Sequence, residues 1–281
     1  MANYYCYMAG LPTVKLTDAQ PHHTILQLKE DLADVLESQD ARLMERYFLR
    51  FDCENLVTLL ANPEADIDER GSYDRDALNT LIEEARAMEG TVKGFPTFMA
   101  DFVREYTSHA GQPNWFARDA ALLAYYDYAR ECPNQMMAEW YDLNFNILNI
   151  LTALIARRQG WPLDEYVQGD GPVVEALLKQ SNQPDFGLGS ELDYVKELMQ
   201  TAETTDPVEK ERLIDALRWN WLEEKTFFEP FDITALFAYV VRSEILERWA
   251  LLDPEQGRAR FTEIIEELRG EAKVPEEFIR K

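Results

Sequence analysis

Two six-residue stretches decide the fold: Asn55-Leu56-Val57-Thr58-Leu59-Leu60 and Asn146-Ile147-Leu148-Asn149-Ile150-Leu151. Each runs Asn, apolar, apolar, polar, apolar, Leu. Leu56/Leu59/Leu60 and Ile147/Ile150/Leu151 fall at i, i+3 and i+4, which places each trio on one face of a helix. The residues just before are also alike, Tyr47-Phe48-Leu49-Arg50-Phe51 against Trp140-Tyr141-Asp142-Leu143. A weaker third copy reads Glu244-Ile245-Leu246-Glu247-Arg248-Trp249-Ala250-Leu251-Leu252. There Glu247 stands at the asparagine position, Arg248 replaces the first apolar residue, and Leu251 and Leu252 keep the last two. The copies lie roughly 90 to 100 residues apart, wider than solenoid repeats. This spacing predicts an all-α protein of three repeated helical bundles, over residues 1–92, 93–185 and 186–281.

Working outward, helix-period patterns dominate and strand alternation is nearly absent. Leu78, Leu81, Ile82 and Ala85 form one apolar stripe. Asp206-Pro207 and Asp253-Pro254 place a capping residue before a proline at the first helical position. The second opens a helix with Phe261, Ile264, Ile265 and Leu268 on one face, Glu263, Glu266 and Glu267 largely on the other, and Gly270 as its stop. Ser190 reads as the cap of another helix. Tyr4-Tyr5-Cys6-Tyr7-Met8 stays ambiguous. Turn-rich breaks over 62–71, 90–96, 111–114, 160–172 and 181–189 are short enough to be loops inside a compact protein.

Charge narrows the partners. The 281 residues hold 28 Lys+Arg against 52 Asp+Glu, a formal charge of −24. No excess of cations exists to release counterions from a nucleic acid, and anionic lipid is disfavoured for the same reason. A basic protein surface would be attracted. No apolar run approaches the roughly 20 residues that span a bilayer, and the N-terminus does not read as a signal peptide. Three scattered cysteines, Cys6, Cys53 and Cys132, suggest unpaired thiols in a reducing cytoplasm.

The motifs for chemistry are weak. None of His22, His23 and His109 has a glutamate three residues before it, as a di-iron bundle requires. Glu105 and His109 read as a surface pair. Asp66-Ile67-Asp68-Glu69-Arg70-Gly71 imitates a calcium loop, but Arg70 sits at a ligand position and Ala77 at the twelfth. No GxSxG, Walker A or GxGxxG run occurs. Adjacent carboxylates such as Glu83/Glu84 and Glu223/Glu224 read as solvated helix faces. Tyr125-Tyr126-Asp127-Tyr128, Trp219-Asn220-Trp221 and Phe227-Phe228 lack the basic surroundings of a base-stacking platform. They read as core first and as a partner-facing patch second. Asn55 and Asn146 need partners inside helices, either as caps or by bonding a neighbouring loop backbone. Arg157-Arg158 complements a helix C-terminus. The chain therefore reads as binding no metal, cofactor, nucleic acid or small-molecule substrate, and not as an enzyme.

With these residues in view, the chain resembles the C/d subunit family of A-type and V-type rotary ATPases, and most closely a divergent bacterial branch encoded beside V-type ATPase genes in Bacteroidetes. The resemblance rests on Phe51-Asp52-Cys53-Glu54-Asn55-Leu56-Val57-Thr58-Leu59-Leu60. It also rests on Trp140-Tyr141-Asp142-Leu143-Asn144-Phe145-Asn146-Ile147 running on to Arg157-Arg158, and on Leu236-Phe237-Ala238-Tyr239-Val240-Val241-Arg242-Ser243-Glu244-Ile245. Glu247-Arg248 departs from the Asn-Leu of the family pattern. The resemblance implies a funnel of three helical bundles with pseudo-threefold symmetry, acting as a non-catalytic central-stalk subunit. Its expected partners are the rotor shaft subunits and the membrane proteolipid ring. Its expected place is the cytoplasm, peripheral on the inner membrane, where it passes torque for ion transport. A stand-alone acidic helical adaptor for a basic protein is the alternative. An enzyme with convergent carboxylates is a third reading.

Overall fold

The computed structural model describes residues 3–112, 115–228 and 231–252. These form eleven α-helices and no strand. The helices are α1 (Tyr5–Gly10), α2 (Ile25–Val35), α3 (Ser38–Ala61), α4 (Arg75–Ala87), α5 (Thr97–His109), α6 (Ala117–Arg130), α7 (Gln135–Gln159), α8 (Pro172–Lys179), α9 (Val195–Glu203), α10 (Pro207–Thr226) and α11 (Ile233–Leu251). Two short 3-10 turns, Leu163–Glu165 and Leu188–Ser190, flank α8. The all-α expectation holds.

Side-chain caps set five of the eleven helix starts. Thr24 and Gln27 exchange bonds across the first turn of α2 in a capping box. Asp74, Asn134, Asp206 and Asp232 accept backbone N–H groups at the starts of α4, α7, α10 and α11. Gly160, with φ at 73°, ends α7, since a left-handed residue there costs glycine nothing. Ser190 closes a 3-10 turn instead of capping a helix, and α9 begins five residues later at Val195. Of the ambiguous Tyr4–Met8 run, Tyr5 to Met8 are helical and Tyr4 precedes the helix. The helix expected over 254–270 lies outside the described residues.

The packing follows chain order before it closes. α4 lies on α5, α5 on α6, and α6 on both α3 and α7. α7 then carries α8 and α9; α9 lies on α10, α10 on α11, and α11 returns to α2 and α7. The buried apolar residues form one continuous cluster from Tyr4 to Leu246. Phe237 of α11 marks the junction of the three main helices. Its ring centroid lies 5.4 Å from that of Tyr47 on α3 and 6.3 Å from that of Tyr141 on α7, both edge-on. The aromatic clusters divide. Tyr125 and Trp219 are buried, whereas Phe227 and Phe228 are 74% and 87% exposed at the α10–α11 turn.

Candidate functional site

On α3, Asn55 is buried and its side chain takes hold of a loop. Its Nδ2 donates to the Asp68 carbonyl at 2.9 Å, and its Oδ1 accepts the Asp68 N–H at 2.8 Å. One turn earlier, Asp52 accepts the N–H groups of Ser72 at 2.7 Å and Tyr73 at 3.1 Å. Lys29 of α2 donates to the Gly71 carbonyl in the same loop. The backbone of the loop from 68 to 73 is thus held by side chains of α3 and α2. Buried Asn55 has its amide satisfied on both sides, which removes the cost of placing it inside.

The same pair of bonds recurs on α7, but the asparagine is Asn149. Its Nδ2 donates to the Gln168 carbonyl at 3.1 Å and its Oδ1 accepts the Gln168 N–H at 2.9 Å. Asn146, the residue matched to Asn55 by sequence, is half-buried. The geometric match is therefore three positions later than the sequence match. Phe51 then corresponds to Phe145, and Tyr47 to Tyr141. On α11, Glu247 accepts the N–H of Ile25 at the start of α2, at 3.1 Å. A buried tyrosine stands eight residues before each of these polar groups: Tyr47, Tyr141 and Tyr239.

The other expected motif residues fall as follows. Leu56, Leu59, Ile147, Ile150 and Ile245 are buried in the core, while Leu60 and Leu151 are partly buried against it. Glu244 is buried and pairs with Arg50 at 2.8 Å. Leu251 and Leu252 are 69% and 59% exposed, so they do not pack as Leu59 and Leu60 do. The pattern had missed Asp52, Asn149 and Glu247 as gripping residues. For Asn149 the signal available was the single offset that pairs Tyr47, Phe51 and Asn55 with the identical Tyr141, Phe145 and Asn149.

Charge gathers where α3, α6 and α11 meet. Arg50, Arg70, Arg118 and Arg248 line a cleft of about 600 Å³ together with Glu54, Asp119 and Glu244. The Phe51 ring lies within cation–π distance of two guanidiniums, 4.5 Å from that of Arg50 and 4.3 Å from that of Arg70. Arg70 is held in turn by Asp68, at 2.6 Å, which turns the calcium-like motif into an internal ion pair. Burial pushes the Asp52 carboxyl up to about 6, against the opposing pull of the two N–H groups and Lys29. Burial also raises the Cys53 thiol well above its ordinary value, which leaves it a poor nucleophile. Elsewhere, Asp215 joins α10 to α11 by accepting from Trp249 at 2.7 Å and from Arg248, and it also accepts from Arg218 of its own helix at 3.1 Å. Arg157 at the end of α7 donates to the carbonyls of Gln183 and Pro184.

Among the described residues no group of His, Cys, Asp and Glu is placed to hold a metal ion. Glu105 and His109 share α5, but the Glu105 carboxylate accepts from Trp115 and the His109 ring meets the Glu105 backbone carbonyl. No helix among the described residues is long and apolar enough to cross a membrane.

A helical body whose long helices grip distant backbone through buried polar side chains is the class of protein these observations define. Residues 1–272 match the family described as "Protein of unknown function (DUF2764)", and the chain belongs to that family. No curated protein and no solved structure matches the chain.

Proposed function

We propose that the chain is a non-catalytic coupling subunit, a braced helical body that carries mechanical load between partner proteins. The observation behind this reading is the recurrence, on α3, α7 and α11, of a buried tyrosine followed eight residues later by a polar group holding a distant backbone. In this reading the three helices are the axes of three related units, over residues 1–92, 93–185 and 186–281. Close-packed interiors resist compression, and polar braces to the loops limit shear between helix and loop. Together with the resemblance to the C/d subunits, this favours a place between the rotor shaft and the proteolipid ring of a V/A-type rotary ATPase, peripheral on the cytoplasmic face of the membrane. The test is affinity purification of the tagged full chain from solubilised membranes. Recovery of shaft and proteolipid subunits supports the reading; their absence under conditions that preserve the ATPase overturns it.

A second reading, an acidic adaptor for a basic protein, draws on the groove between α6 and α7. Glu105, Asp119, Asp127 and Glu165 line it, with exposed Phe116 at its edge and no Lys or Arg among its described lining residues. Such a surface complements a basic, partly apolar partner. This reading expects a complex that forms without any membrane subunit.

A further inference from the structure

We propose that the cleft between α3, α6 and α11 binds a small amphipathic oxyanion, a carboxylate or phosphate carried on an aliphatic body. Four guanidiniums line the cleft, those of Arg50, Arg70, Arg118 and Arg248, against the carboxylates of Glu54, Asp119 and Glu244. The whole chain has 28 Lys+Arg against 52 Asp+Glu, so the cleft reverses its charge locally. Glu244 is also taken up by Arg50, at 2.8 Å.

The arginines are fixed in place before any ligand arrives. Asp68 holds Arg70 at 2.6 Å, and Asp215 and Glu211 hold Arg248. None of these three carboxylates lines the cleft. A guanidinium carries five N–H groups and one carboxylate engages two of them at most, so each arginine keeps donors for a further acceptor. The side chains of Arg50 and Arg248 stay partly open to solvent. Cations held in this way need little further ordering to bind an oxyanion.

Much of the remaining lining is apolar, with Val57, Leu122, Leu251 and Leu252. Both Leu251 and Leu252 are exposed, and an aliphatic chain laid against them would release the water they now order. The volume, about 600 Å³, lies inside the roughly 300 to 1,000 Å³ of small-molecule sites. An inorganic anion alone would leave most of it unfilled. No sequence motif links the four arginines, because they are spread from residue 50 to residue 248.

Isothermal titration calorimetry of the full chain tests this with decanoate, decyl phosphate, decanol and inorganic phosphate, the amphiphiles kept below micelle-forming concentrations. Decanoate or decyl phosphate should bind at one per chain, and decanol and inorganic phosphate at least tenfold more weakly. The tighter of the two charged amphiphiles assigns the head group. Shortening it by two carbons should weaken binding about four- to fifteenfold, since a buried methylene contributes roughly two- to fourfold. Arg118 is exposed and makes no ion pair with any described residue. Arg118→Gln should therefore leave thermal unfolding unchanged while raising the Kd of the tighter amphiphile several-fold, and Leu122→Asp should raise it at least as much. Decanol binding as tightly as decanoate would reduce the cleft to an apolar patch, and inorganic phosphate binding as tightly as decyl phosphate to a plain anion site. Either result, no binding at all, or binding indifferent to both substitutions overturns the proposal.

Discussion

The side chain of Asn149 and the backbone of Gln168 close a ring of two hydrogen bonds, 3.1 Å and 2.9 Å long, across 19 residues of sequence. Asn55 and Asp68 close the same ring across 13. An amide side chain is the group suited to this, because it presents a donor and an acceptor side by side, as a peptide unit does.

Replacing Asn149 by alanine removes both bonds and leaves the Gln168 N–H and carbonyl without their partner. Asn149→Ala and Asn55→Ala should each cost about 1 to 3 kcal/mol. Asn146→Ala, at a half-buried position, should cost less than about 1 kcal/mol. Urea unfolding of the three variants checks the order, and a larger loss at Asn146 than at Asn149 would remove the three-residue register shift.

Gly71 has no room for a side chain. A Cβ there would lie 2.4 Å from Asp52 Oδ1 and 3.0 Å from Asn55 Nδ2. Gly71→Ala should therefore push the loop off α3 and destabilise the protein by about 1 to 3 kcal/mol. The penalty should shrink when Asp52→Ala is added, since the clash and the carboxylate are then removed together. Full additivity in a double-mutant cycle would contradict the contact.

The Asp52 carboxyl titrates in the folded protein at about 6, above its ordinary 3.8, because burial penalises the charge. Between these values the folded state binds more protons than the unfolded one. The group's contribution to stability therefore falls as pH rises from about 4 to about 6, and is constant outside that window. The stability of the wild type minus that of Asp52→Asn, measured by denaturant unfolding across this range, should decline with pH. A difference that rises or stays flat would show that the N–H groups of Ser72 and Tyr73 outweigh burial.

Glu244 is the anion on which Arg50 closes, at 2.8 Å, and it lies 3.9 Å from Arg70. Its side chain is only 9% exposed, while that of Arg50 keeps 33%. Glu244→Gln should cost about 1 to 3 kcal/mol, below the usual loss for a fully buried pair, because water still reaches the arginine. Thermal unfolding of the variant and of its combination with Arg50→Gln checks this, with the double variant expected to lose less than the two single losses added together.

Legibility in the sequence varied by element. The stripe Leu78, Leu81, Ile82 and Ala85 placed α4, because its information lies within two turns. Asp206-Pro207 placed the start of α10 for the same reason. Ser190 misled because a serine before an acidic residue is a local cap signal, while the chain spends Leu188–Ser190 on a 3-10 turn first. The paired asparagines need partners inside their helices, but the Asn, apolar, apolar, polar, apolar, Leu pattern matches the second at Asn146, although an offset of three more residues pairs Tyr47, Phe51 and Asn55 with the identical Tyr141, Phe145 and Asn149.

By itself the sequence determined the helical class, the apolar stripe of α4, the start of α10, the negative charge and the lack of a recognisable catalytic motif. Each follows from short-range periodicity, capping or simple composition. Only the tertiary structure decided that Asn149 grips Gln168, that Glu247 reaches Ile25 across 222 residues, and that Arg50 meets Glu244 at the edge of a cleft. The physical reason is loop length: the distance along the chain from a gripping side chain to the backbone it holds is free to vary, so no local pattern encodes it. Which polar group is buried, and against what, is settled only when the helices have packed.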